Sequence, residues 1–169
     1  MAAAYGAAAV AAVLLVAAGL AKVVSPAPAV AAMRALRLPT SPTAVRVGAG
    51  LECVIGAWAL AVGAAWSLAL VAASYVAFAV FLVVATRSAA IADCGCFGST
   101  GSPPRLRQVV LDVMLAAGAA LSLAGPVRPV PTLLARSPLV GAVFVFCMVA
   151  AAFLAYLVHE APVDEAGLS

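Results

Sequence analysis

The chain has 169 residues, of which 67% are hydrophobic and only 9% charged, with a mean hydropathy of +1.22 and a formal net charge of +3. A water-soluble domain carries about 25% charged residues, so so few charges cannot cover a globule of this size. The composition excludes a soluble domain and assigns the chain to the bilayer, as an all-α integral membrane bundle.

A spanning helix needs about 20 mostly apolar residues. Five segments meet this, and all are expected as helices because lipid offers no partner to unpaired backbone groups. The first is Ala3–Val23. Met1–Leu20 has no charge and so lacks the basic start of a signal peptide, which makes this segment a retained span. After it, "APAVAAMRALRL" puts Arg34 and Arg37 on an apolar turn or two, predicting a short interfacial helix ended by Pro39. The second span is Val45–Ala65 and the third Ser67–Ala85, so close that only a tight turn separates them. The fourth is Leu106–Ala124 and the fifth Pro138–Val158, followed by a short polar tail, "EAPVDEAGLS". Cys147, amid apolar neighbours in the fifth span, suits packing, and His159 suits a helix end.

Sidedness follows from Lys and Arg. Lys22, Arg34, Arg37 and Arg46 lie between the first two spans, and Arg87, Arg105 and Arg107 between the third and fourth. Only Arg128 and Arg136 fall on the opposite side. The expected arrangement is a multi-pass protein of the cell membrane with its amino terminus outside and the "ADCGCFGS" stretch at 92–99 and the carboxyl terminus cytoplasmic. The basic residues stand singly at membrane boundaries, where snorkelling and topology account for them, so nucleic acid is not an expected partner.

Few polar residues remain inside the spans. Glu52 and Cys53 lie seven and eight residues past Val45, roughly 10–12 Å deep at 1.5 Å per residue. Asp112 lies six residues past Leu106, roughly 9 Å deep. Both depths are measured from connections on the same side, so these residues share one half of the bilayer with the stretch "ADCGCFGS" at 92–99. An acid buried in a span needs a partner or a function. Glu52 could hold Arg105 or Arg107, and Asp112 could pair with Gln108 or Arg107.

Cys94 and Cys96 are two apart and cannot face each other on a helix, so they belong in a bend, which Gly95 and Gly98 permit. A disulfide closing so small a ring is strained and therefore suited to passing its oxidation on. The same thiolates suit a soft metal ion, with Cys53 or Asp93 as a third ligand. The blandest alternative is two loop cysteines without a role. Asp93 would disfavour a thiolate at Cys94, whereas Arg87, Arg105 and Arg107 would favour one.

"GLAKV" closing the first span, "LECVIGAW" in the second, "CGCFGS" before the fourth and "RQVVLDVML" within it resemble the MauE family. This is the methylamine-utilisation membrane group, related to the DoxX-like proteins, and the resemblance covers about residues 5–124. It implies a four-helix membrane bundle tied to redox or disulfide handling, often beside thioredoxin-like proteins. The family's namesake role is maturation of a disulfide-rich dehydrogenase subunit. The fifth span departs from the four-helix pattern. The chain thus divides into a MauE/DoxX-like unit at 1–124, a connection and extra span at 125–158, and a tail at 159–169.

The expected function is thiol–disulfide exchange with a thioredoxin-like or client protein. Cys94 and Cys96 would be the exchanging pair, Cys53 a relay or resolving thiol, and Glu52 the proton acceptor. Asp93, Asp112, Gly95 and Gly98 would support them. No cofactor is required beyond a possible quinone as electron acceptor. The alternatives are soft-metal binding or transport through Cys94, Cys96 and Cys53, and a non-catalytic membrane assembly factor.

Overall fold

The computed structural model describes residues 2–88, 105–125 and 129–160. Among these residues the fold is all-helical: α1 (Ala2–Val24), α2 (Ala27–Ala35), α3 (Pro42–Val62), α4 (Ala65–Thr86), α5 (Leu106–Leu121, continued by a 3₁₀ turn at Ser122–Ala124), α6 (Val130–Arg136) and α7 (Pro138–Glu160). Five helices, α1, α3, α4, α5 and α7, are long and apolar enough to cross a membrane. These are the five expected spans.

Local chemistry sets the helix ends. Pro26 interrupts the chain after α1 and serves as the N-cap of α2. Ser41 caps α3, its Oγ accepting from Ala44 N–H at 3.1 Å, and Pro42 occupies the first turn, where a missing N–H costs nothing. The helix therefore begins three residues before the expected Val45. It ends at Gly63, whose φ of 63° makes the tight turn into α4 that the short gap required.

The short helix between the first two spans is present, but Pro39 does not end it. Leu38 N–H reaches back to Met33 C=O (3.0 Å) and Arg37 N–H to Arg34 C=O (2.8 Å), with Arg37 at φ 59°. This Schellman closure terminates α2 before the proline is reached, with an arginine where glycine is usual. α6 was not expected from sequence. Its seven residues carry Pro131 in the first turn, where proline is tolerated, but are too few to show a helical period.

α1 is the central helix and packs on α3, α4, α5 and α7. Its Ala8, Ala11, Ala12 and Leu15 sit in the main core with Ala59, Leu68, Val71, Leu115 and Ala119. Between lipid-facing helices there is little hydrophobic drive, so small residues that admit close backbones take over. A Cβ on Gly56 would lie 2.7 Å from Ala12 O, and one on Gly19 would lie 2.7 Å from Ala49 O. The α1–α3 seam is therefore closed by glycine on both sides. The buried Tyr75 is paired as lipid demands: its Oη, on α4, donates to Ala11 O of α1 at 2.8 Å. Large apolar side chains face outward instead, among them Leu139 and Phe146 of α7.

The alternating spans define two ends. One gathers the C-termini of α1 and α4, the N-termini of α3 and α5, and α2. At this end Ala32 of α2 packs on Ala85 of α4. The other carries Trp58 and Trp66, half-exposed, with ring centroids 5.9 Å apart, as expected of an aromatic belt at a membrane boundary.

Candidate functional site

The polar residues of the spans meet at the α2 end. Lys22 Nζ of α1 lies 2.7 Å from Glu52 Oε2 and 3.0 Å from Oε1 of α3. The two side chains are only 11% and 17% exposed. Nζ also stands 4.4 Å from the centre of the Phe78 ring of α4, a cation–π contact. Three spans thus converge on one ammonium group.

Helical side chains lean toward the N-terminus of their own helix. Lys22, near the C-terminus of α1, leans inward along the bundle. Glu52, on antiparallel α3, leans outward toward the same level. Arg46 fixes the register: its Nε donates to Val23 O at 3.2 Å, satisfying a terminal carbonyl of α1. The two helices are staggered so that lysine and glutamate meet below that contact.

Sequence reasoning gave Lys22 only a topological role and offered Glu52 the partners Arg105 or Arg107. The observed partner is Lys22. The signal was present in a lone cation near the end of one apolar helix and a lone acid in the next. It was masked by the assumption that a boundary lysine snorkels toward water.

A cavity of about 380 Å³ opens from this pair. Lys22 and Glu52 form its polar part, Gly48 of α3 and Phe78 and Phe81 of α4 form its sides, and Met33 of α2 borders it at the end of the bundle. α3 and α4 are joined at the tryptophan end through Gly63 and Ala64, and both line the cavity at this end.

Asp112 of α5 is buried at 4% exposure. Gln108, fully buried, accepts the Arg105 N–H on its Oε1 at 2.9 Å and fixes the start of α5. Glu52 and Asp112 lie in the first halves of α3 and α5, which both start at the α2 end, so the two acids share one half of the bundle, as expected, with Lys22.

Cys53 takes a different place from its neighbour. Its Sγ donates to Val16 O of α1 at 3.6 Å and lies where a Cβ on Gly19 would come within 2.6 Å. The thiol is wedged in the α1–α3 seam, so serving as a relay or as a third metal ligand would require it to leave that contact. Cys147 is exposed on α7 rather than packed inside. Among the described residues no group of three or more His, Cys, Asp or Glu side chains is arranged to hold a metal ion.

Asp93, Cys94, Gly95, Cys96 and Gly98 lie outside the described residues. The helix ends on either side of them do not. α4 ends at Thr86 and α5 starts at Leu106, both at the α2 end. The connection bearing the Cys-Gly-Cys motif thus leaves and re-enters the bundle at the end that holds the Lys22–Glu52 cavity.

The family described as "Methylamine utilisation protein MauE" matches residues 1–125. The match takes in α1 to α5 and the Cys-Gly-Cys connection, and leaves α6 and α7 beyond it. No curated protein and no solved structure matches the chain.

Proposed function

The chain belongs to the methylamine utilisation protein MauE family, and on that basis we propose that it is a membrane-embedded thiol–disulfide exchange protein. Cys94 and Cys96 form the exchanging pair, and Glu52 takes up the proton that thiol attack releases. The observation that carries this reading is the Lys22–Glu52 pair, buried at the end of the bundle where the Cys-Gly-Cys connection begins and ends. A carboxylate inside a span is costly and persists where it is paired and used.

The exchange balances without a bound cofactor. One thiolate of the pair attacks the disulfide of a thioredoxin-like or client protein, and that protein's far sulfur leaves as thiolate. The second cysteine then attacks the mixed disulfide, closing Cys94–Cys96 and releasing the partner as a dithiol. Two electrons pass to the partner and two thiol protons leave the pair. The same steps in reverse oxidise the partner.

Cys96→Ser removes the resolving thiol if Cys94 is the attacking one, and Cys94→Ser covers the opposite order. One of the two variants is expected to accumulate a mixed disulfide with a protein partner in membranes quenched with acid and alkylated, while the double variant captures none. Failure of both single variants to capture a partner would remove the exchange mechanism. Full function of the Cys94→Ala, Cys96→Ala protein in cells would point to an assembly factor instead.

A further inference from the structure

We infer that the cavity beside Lys22 and Glu52 is a binding site for the head group of a membrane quinone, which is the electron acceptor for the dithiol. The inference rests on the exchange reading for its redox role, but the site itself stands on geometry.

The cavity reaches from the α2–α3 connection, at Pro39 and Thr40, to the sides of the spans, at Gly48 of α3 and Ala77 of α4, both exposed. Gly48 and Ala77 lie about 9 Å and about 14 Å inside the helix ends at Pro42 and Thr86. That side gives a lipid-borne ligand a way in.

The floor carries no net charge, because Glu52 engages the Lys22 ammonium with both oxygens. An anionic lipid head would have to compete with that carboxylate, so a neutral ligand is favoured. Phe78 and Phe81 line the α4 side, and Lys22 Nζ stands over the Phe78 ring. An aromatic lining suits a flat ring, whose carbonyl oxygens are acceptors suited to an ammonium donor. The volume of about 380 Å³ falls within the roughly 300–1,000 Å³ of small-molecule pockets. It leaves room for a ring and the start of its tail, which would run out between Gly48 and Ala77.

The chemistry closes with the same ligand. Oxidising the Cys94–Cys96 dithiol to the disulfide releases two electrons and two protons, and a quinone takes up both pairs to become the quinol. Glu52 stands at the cavity to relay the protons. This sets the direction: client dithiols are oxidised, and electrons leave into the membrane.

Gly48 offers a clean test, since a Cβ there meets nothing within 4 Å and a larger side chain fills the cavity without displacing backbone. Gly50, about 200° around the helix from Gly48, is equally free of contacts and does not line the cavity. The full chain in phosphatidylcholine nanodiscs is titrated with short-chain ubiquinone and menaquinone analogues. The wild type should bind at least one of them saturably. Gly48→Phe should weaken that binding at least about tenfold, and Gly50→Leu should change it by no more than about twofold. Equal binding by Gly48→Phe and the wild type overturns the inference, as does displacement of the quinone by modest amounts of phosphatidylglycerol. The Cys94→Ser, Cys96→Ser protein separates the two claims. If it binds quinone and partner capture fails, the exchange reading falls and the site stands. If capture succeeds and no quinone binds the wild type, only this inference falls.

Discussion

Lys22→Met or Glu52→Leu alone should destabilise the bundle by roughly 3–5 kcal/mol, while the double variant recovers most of the loss. The ammonium and carboxylate are 2.7 Å apart and largely buried, on helices that contact lipid. Removing either one leaves an uncompensated charge inside a span. Removing both leaves an apolar seam of similar volume, which is close to neutral or better. Thermal unfolding of the four proteins in one detergent, read as a double-mutant cycle, checks the coupling. Additive single effects would mean that the two groups do not depend on each other. Function should follow a different pattern: the double variant folds but stays inactive, because the proposed proton acceptor is gone.

Gly56→Leu and Gly19→Val are expected to destabilise by about 2–4 kcal/mol each, more than any single change on the outer face. At Gly56 the added Cβ would stand 2.7 Å from both Ala12 O and Val16 Cγ2. At Gly19 it would stand 2.6 Å from Cys53 Sγ and 2.7 Å from Ala49 O. Backbone oxygens cannot move aside as a flexible side chain can, so α1 and α3 must separate. Separation would also pull Lys22 from Glu52 and Cys53 from Val16. The yield of monodisperse protein and its unfolding midpoint report the effect, and Gly48→Leu on the same helix is the matched control. Wild-type midpoints for both variants would contradict the close seam.

The spans themselves were legible in the sequence because each is a long apolar run. Their ends were less so: Ser41-Pro42 opens α3 and Gly63 closes it, where apolar length alone gave Val45 and Ala65. The termination of α2 was not legible. Arg37 takes a left-handed conformation that favours glycine, and Pro39 drew attention to itself two residues later. At the site, depth arithmetic brought Glu52 and Asp112 into one half of the membrane correctly. It could not say that Lys22 would turn inward, because depth along a helix does not give the direction in which a long side chain leans. Nor could it separate Glu52 from Cys53. Adjacent residues on a helix point about 100° apart, and here one faces the cavity and the other the α1 seam.

In the proposed exchange, Cys94 and Cys96 cycle between dithiol and disulfide, with Glu52 as the proton acceptor. Redox-state trapping tests it most directly: cells are quenched, free thiols alkylated with one reagent, disulfides reduced and labelled with a second, and the peptide spanning residues 89–104 weighed by mass spectrometry. Both forms are expected in the wild type, shifting together with the redox state of the membrane, and a single form in Glu52→Gln, where exchange would stall. A Cys94–Cys96 pair that keeps one fixed redox state under every condition, unaltered by Glu52→Gln, would contradict it.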